Sequence, residues 1–455
     1  VRRYHFAPLE RRGLVAGLEL SQVLTLVLGS LVALGALRGP GGPAAALGVG
    51  SAALALACWP LGGRPPVAWV PIVVRWLLGR RPLRPRGPLP VAPAGIRLVA
   101  APAGPGDEPL GVVRDLRAGT WAAVIPVAGA AFTFLDVGDK ERRLAAWGTL
   151  LASAARHGSP VHRLQWLEQT EPASPLSTQP EQPDAGPLRA VESYRQLLAQ
   201  SAEVGSAHRV LLVVAVRPGR RSRQERSFGR GTAGACGLLR REVRLLRGQL
   251  RAAEVEPAAA LSLPGLAAVL RSSLAGPDGP SAHSEEGVWP LGWRDSWSVA
   301  RLDGQWRATY WVAEWPRHDV GPDFLAPLLL AEARKTVSVT FAPVPAERAA
   351  REAESARTAE LADEELRRRA GFLQTARHRR QAQGVLEREA ELAEGHAELR
   401  FSGYVAVSAT SPEGLDAGCA AVESAAQQAG VVLRRLYGRQ RDAVDWTLPL
   451  GRGLS

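Results

Sequence analysis

FSGYVAVSATSPEGLDAGCAAVESAAQQAGVVLRRLY, Phe401–Tyr437, carries the strongest fold signal in the chain. FSGYVAVSA, from Phe401, reads as a strand. Glu413–Ala429 spaces its apolar residues as a helix does, and VVLRRLY, from Val431, reads as a returning strand. A helix joining two short strands of one sheet is the core of a ferredoxin-like or split α+β unit.

Upstream, Ala346–Leu399 is rich in Ala, Glu and Arg with nearly balanced charge. That composition predicts solvated helices laced by i,i+4 pairs, either one rod or a helical hairpin bent at Gly371 or Gly384. Trp289, Trp293, Trp297, Trp306, Trp311 and Trp315 lie in two strand-like runs that turn at Asp303-Gly304, a hairpin signal. Core packing is the commoner use of such aromatics, and a stacking platform for single-stranded nucleic acid the alternative. Gly276–Gly287, rich in Gly, Pro and Ser, marks a boundary. Before it, strands are expected at Ile96–Ala101, Gly119–Val127, Ala131–Val137, Pro160–Leu167 and Arg209–Val216, with helices at Lys140–His157, Leu188–Ser201 and Thr232–Ala253. The five prolines of Thr170–Pro187 predict a linker there. The expected organisation is therefore a first α+β domain over 95–275 and a second over 288–455, the latter with a helical insertion at 346–399.

The amino-terminal segment differs in kind. Leu20–Leu37 and Ala44–Leu61 are uncharged apolar runs of 18 residues each, separated by the helix-breaking RGPGGP, Arg38–Pro43. Runs of that length fall within the roughly 17–25 residues that cross a bilayer as a helix, so residues 1–80 are read as a two-span membrane hairpin. Small residues at helical spacing, Gly29 with Ala33 and Gly48 with Ala52, would let the two helices approach closely. Val67–Leu78, with Trp69, Trp76 and Arg75, reads as an interfacial helix. Arg2, Arg3, Arg11 and Arg12 precede the runs, and Arg64, Arg75, Arg80 and Arg81 follow them. The positive-inside bias then puts both termini in the cytoplasm and the protein in the cell membrane, with the lipid bilayer as a partner. A Pro- and Arg-rich linker, 81–94, leads onward.

Of the formal net charge of +12, residues 1–86 supply +9, with eleven Arg against Glu10 and Glu19. The remainder is close to neutral, which disfavours a nucleic-acid-coating protein. Direct nucleic-acid contact is left open, with Arg217–Arg230 the one basic run that suits phosphate or lipid head groups. A P-loop requires G-x-x-x-x-G-K-[ST], and neither Lys140 nor Lys335 lies in that context. GRGTAG, Gly229–Gly234, stands too far from the preceding strand for a dinucleotide fingerprint and reads as a helix start. His396-Ala397-Glu398 lacks the P-C-x-x-C of a zinc deaminase, and no G-x-S-x-G nucleophile elbow is present. Cys58, Cys236 and Cys419 form no C-x-x-C pair; Cys236 and Cys419 read as buried thiols. No catalytic residue, cofactor or metal is expected.

AFTFLDVGDKERRLAAWGTLLAS with SPVHRLQW, then YWVAEWPR with FLAPLLL, then EREAELAEGHAELRFSGYVAVSA, and finally LRRLYGRQ with TLPLGRGL resemble the non-catalytic amino-terminal half of the large conjugative type IV secretion assembly ATPase. The amino-terminal apolar hairpin resembles small inner-membrane proteins of the PrgI type, and the combination resembles an actinobacterial family that fuses the two without the motor domain. In full-length relatives a TLP-containing segment leads into the P-loop domain, whereas here Ser455 follows soon after Thr447-Leu448-Pro449. The resemblance implies a structural or docking subunit of a conjugative secretion complex that anchors a separately encoded ATPase beside other inner-membrane subunits, with homo-oligomerisation allowed. Tyr437, Gly438, Gln440 and Pro449, within Arg434–Arg452, are the residues it points to for the motor contact. The alternatives are a type VII secretion membrane component of the EccE type, a membrane-tethered enzyme and a single-strand DNA binder.

Overall fold

The computed structural model describes residues 20–38, 42–59, 65–79, 92–104, 106–128, 135–156, 158–172, 206–219, 229, 231–276, 279, 282, 285–370 and 376–453. The chain divides into two compact units, one of residues 8–86 with 437–439, the other of residues 1–7, 87–436 and 440–455.

The smaller unit holds α1 (Leu20–Leu37), α2 (Gly42–Cys58) and α3 (Pro66–Gly79). The first two pack closely because the contact is made of small residues: a Cβ built on Gly29 would collide with the Cβ of Ala53. Gln22 Nε2 donates to Ala57 O across the same pair at 2.7 Å. Leu24, Val27, Leu28, Leu31, Val32 and Leu34 remain exposed. The reading of these helices as membrane spans is overturned, because among the described residues no helix is long and apolar enough to cross a membrane. The second run yields a helix of only 17 residues, since it ends at Cys58. The expected multi-pass membrane localisation is corrected with it. Arg2, Arg3, Arg11, Arg12, Arg64, Arg80 and Arg81 lie outside the described residues, as do the side chain of Arg75 and the 81–91 part of the expected linker.

The larger unit is built on one sheet, with β1 (Ile96–Ala100), β2 (Gly111–Asp115), β3 (Thr120–Val127), β4 (Val161–Pro172), β5 (Ser206–Val216), β6 (Trp293–Asp295), β7 (Ala300–Leu302), β8 (Gln305–Glu314), β9 (Lys335–Pro343), β10 (Leu399–Ala409) and β11 (Val432–Arg435). The order is β1-β2-β3-β5-β4-β9-β10-β8-β7-β6, with β11 on β8. Every pairing is antiparallel. Its helices are α4 (Val137–Ala154), α5 (Gly231–Ala252), α6 (Leu263–Ala275), α7 (Glu285–Val288), α8 (Ala326–Leu330), α9 (Ala346–Ala370), α10 (Ala376–Ala393), α11 (Pro412–Gln428) and α12 (Gln440–Trp446).

The order contains one motif twice. β8, β9, β10 and β11, taken as strands 1 to 4, lie side by side as 2-3-1-4, with α8 after strand 1 and α11 after strand 3. That is the ferredoxin-like βαββαβ order. β3, β4 and β5 repeat it as 1, 2 and 3, with α4 and α5 in the helix places. The fourth place is held by the chain at 256–261, which bonds along β3 through Ala128 N to Glu256 O, Ala258 N to Pro126 O and Leu261 N to Val124 O. The repeats join where strand 2 of each meets the other, β4 against β9, Leu164 opposite Phe341 through Thr170 opposite Lys335. The domains expected at 95–275 and 288–455 therefore share a continuous sheet.

Local sequence accounts for the elements. Asp136, Ser262 and Ser411 cap α4, α6 and α11, their side-chain oxygens accepting from Asp139, Gly265 and Gly414 N at 2.7, 3.3 and 3.0 Å. Pro264 and Pro412 stand in the first turns of α6 and α11, where the missing N–H has no helical partner to lose. The β7–β8 turn is the predicted one, with Asp303 at φ 45° and Gly304 at φ 92°, the left-handed pair that a two-residue hairpin turn requires. Of the strand expected at Ala131–Val137, residues 131–134 lie outside the described residues and Val137 opens α4. The helix expected at Leu188–Ser201 also lies outside them, as does the 173–187 part of the expected linker, while 170–172 complete β4.

Each face of the sheet is covered. Alternate residues of β3, β4 and β5, among them Ile125, Leu164, Leu212 and Val214, pack with Leu150 of α4 and with Leu239 and Leu250 of α5. On the same face Tyr310, Val337, Val405 and Val407 pack with Leu328 of α8 and with Leu415 and Val422 of α11. The opposite face buries Val124, Leu167, Leu211 and Val213 under Leu266, Leu270 and Leu274 of α6, with Val444, Leu448 and Leu450 of the carboxy-terminal segment. α9 and α10 leave this body between β9 and β10. They are joined by Arg357–Glu389 at 2.5 Å, and α9 buries the stripe Ala349, Ala353 and Ala356. Gly384 lies inside α10, and Gly371 lies outside the described residues.

Candidate functional site

Two places in the larger unit concentrate polar chemistry at the β4–β9 seam. The first is the segment 440–453. It forms α12 and then a strap that crosses from the second repeat to the first. Gln440, 2% exposed, starts it: its Oε1 accepts from Thr309 N at 2.9 Å and its Nε2 donates to Leu436 O at 3.1 Å. Trp446 then stacks on Tyr404 of β10 with centroids 4.9 Å apart. At the seam, the fully buried Gln165 of β4 holds the strap from both sides. Its Nε2 lies 3.1 Å from both Trp446 O and Leu448 O, and its Oε1 accepts from Gly451 N at 2.8 Å. Ser338 of β9 adds a hydrogen bond to Trp446 O at 2.8 Å. Gly451, at φ 67°, lies so near β5 that a Cβ there would be 3.1 Å from Ala215 Cβ.

Buried charges complete the strap. Arg452 reaches Asp115 at 2.7 Å and Asp445 at 2.6 Å. Burial works against ionised Asp115, but Arg452 and the amides of Ala118 and Arg117 together hold its pKa below the usual value. At Asp445 burial prevails over Arg452 and pushes the pKa up to about 6. Arg307, 2% exposed, donates to Ser273 O and Thr447 Oγ1 at 3.1 and 3.2 Å, and its burial lowers its pKa to about 9.

The second place lies on the other face, at the end of the seam where β5 begins. Antiparallel register sets Thr170 opposite His208 and also opposite Lys335, with Glu168 and Ser206 on the same face. His208 Nδ1 lies 2.8 Å from Glu168 Oε1, and its Nε2 lies 2.9 Å from Ser206 Oγ. Glu168 is 8% exposed, and burial raises its pKa against the opposing pull of His208 and Lys335. Lys335 donates to Ala331 O at 2.6 Å, and burial lowers its pKa to about 8.

The residues singled out for a motor contact separate. Gln440 and Pro449 are buried, the former with its amide bonded internally. Tyr437 and Gly438 group with the helical unit instead, where the Tyr437 ring lies 5.8 Å from that of Trp69. Gly229–Gly234 runs into the start of α5, and Cys236 and Cys419 are buried. Of the basic run at 217–230, residues 220–228 and 230 lie outside the described residues. Trp289 is in the core, with Trp293, Trp306, Trp311 and Trp315 packed against core clusters. Among the described residues no His, Cys, Asp and Glu group could hold a metal ion. Gln165 and the Glu168–His208–Ser206 row were not anticipated; the signal for them was the run of polar residues Gln165, Glu168, Gln169 and Thr170 in an otherwise apolar strand. No protein-family model matches the chain, and no curated protein matches it.

Proposed function

We propose that the chain is a docking subunit of a conjugative, type IV secretion-like translocation complex, holding a separately encoded P-loop ATPase alongside other subunits of the assembly. The observation that supports this reading is the α9–α10 arm. It grows from adjacent strands of a sheet whose two faces are otherwise covered, and it consists of helices of 25 and 18 residues, about 37 and 27 Å long. Its base is fixed by Arg388–Glu398 and Arg400–Glu352, both at 2.6 Å. Its outer part presents Leu361 and Leu386 among exposed charges, including Arg368 and Arg369. Exposed ion pairs of this kind contribute little stability, about 0–1 kcal/mol each, so their use is better sought in contact with a partner.

The test is co-purification of the full chain from its source cells, with mass spectrometry of what it retains. A retained protein with a P-loop supports the reading when removal of the arm releases it. Retention of no such ATPase, or equal retention without the arm, contradicts it.

A further inference from the structure

The row at the beginning of β5 has no part in the docking reading and has the geometry of a nucleophile, a base and an orienting acid. An ionised Glu168 accepts only, so the 2.8 Å contact places the imidazole hydrogen on Nδ1 of His208. Nε2 is then left with a lone pair, and the group 2.9 Å from it is the hydroxyl of Ser206. The Lys335 charge favours the ionised form of Glu168. Ser206 and His208 are exposed while Glu168 is buried, so the reacting end faces solvent and the orienting end is held in the fold. In ordinary serine hydrolases these three roles define the site by geometry and not by sequence position.

We propose that Ser206 is a nucleophile for acyl transfer from carboxylic esters, with His208 as general base and Glu168 as the residue that orients it. Ser206 Oγ bonds to the acyl carbon as its proton passes to His208 Nε2. The ester C–O bond breaks, and the leaving alkoxide takes that proton. Water then gives a proton to Nε2 and attacks the acyl-serine; that proton passes to Ser206 Oγ as the carboxylic acid leaves, which restores the hydroxyl.

The full chain is treated with a fluorophosphonate probe and, separately, with p-nitrophenyl acetate. The expected result is a covalent adduct on Ser206 and hydrolysis that Ser206→Ala lowers by about 10²-fold or more, since removal of a serine nucleophile closes the covalent route. Glu168→Gln keeps an acceptor for Nδ1 but not the charge, and is expected to slow hydrolysis while Ser206 remains in place. Ser206 is exposed at the first position of β5, so its truncation leaves the fold intact, as an unchanged melting curve would verify. An adduct on any other residue, no adduct, or equal hydrolysis by Ser206→Ala overturns the proposal. None of these outcomes bears on ATPase retention, so the two readings fail separately.

Discussion

Replacing Gln165 by alanine removes the one side chain that ties β4 to the strap through both amide ends. Gly451 N loses its acceptor, whereas Leu448 O keeps the bond from Leu450 N at 2.7 Å and Trp446 O that from Ser338 Oγ. A buried amide left unsatisfied costs about 1–3 kcal/mol, which is the predicted loss. That is a large share of a typical stability of about 5–15 kcal/mol. Gln165→Leu fills most of the same volume but leaves the same amide orphaned, so a similar loss separates hydrogen bonding from cavity formation. The assay is urea denaturation; at a slope of about 3 kcal/mol/M the midpoint falls by about 0.3–1 M. Hydrogen exchange at Gly451 N gives a local check, with protection lost in both variants. A midpoint within about 0.2 M of the parent at the same slope, with Gly451 still protected, would refute the reasoning.

Thr447→Val leaves Arg307 Nη2 without its side-chain acceptor and is expected to cost about 1–3 kcal/mol, read by the same denaturation. The raised pKa of Asp445 gives stability that is fully present below its ordinary 3.8 and lost as pH rises through about 6. His162 acts in the opposite sense: burial first, then Arg217 and Arg163, lower its pKa from 6.5 to about 4. A neutral form favoured in the fold destabilises as the unfolded chain takes up its proton first, so stability is present above 6.5 and lost as pH falls through about 4. The two slopes oppose each other between pH 4 and 6. In that window thermal melts should show stability that rises more steeply with pH than the parent's in Asp445→Asn, and less steeply in His162→Asn. Deleting the arm and closing β9 to β10 with a short glycine loop should leave the body folded, because Pro343 and Leu399 are already paired. Circular dichroism and a melt check it, and loss of the sheet would show that the arm is part of the body.

What could be read in advance depended on how local each signal was. The strand–helix–strand at 401–435 was legible because its two strand-like runs and the helical spacing between them all lie within the segment. The Asp303-Gly304 turn was legible for the same reason. The pairing of β4 with β9 was not, since it joins residues about 170 positions apart and nothing in either strand names the other. The strap was missed because Thr447–Arg452 has no period; it is ordered by Gln165, Ser338 and Thr340, all distant in sequence. The apolar runs at 20–61 were read by composition alone, and among the described residues no helix is long and apolar enough to cross a membrane. His208 and Glu168 lie 40 positions apart, so only the register of two strands brings them together.

The docking account rests on the arm, and one comparison tests it most directly: ATPase retained by the full chain against ATPase retained by the chain lacking 346–398. The account predicts a P-loop ATPase held by the first and absent from the second, with both bodies folded. Equal retention, or no P-loop ATPase held by the full chain, would contradict it.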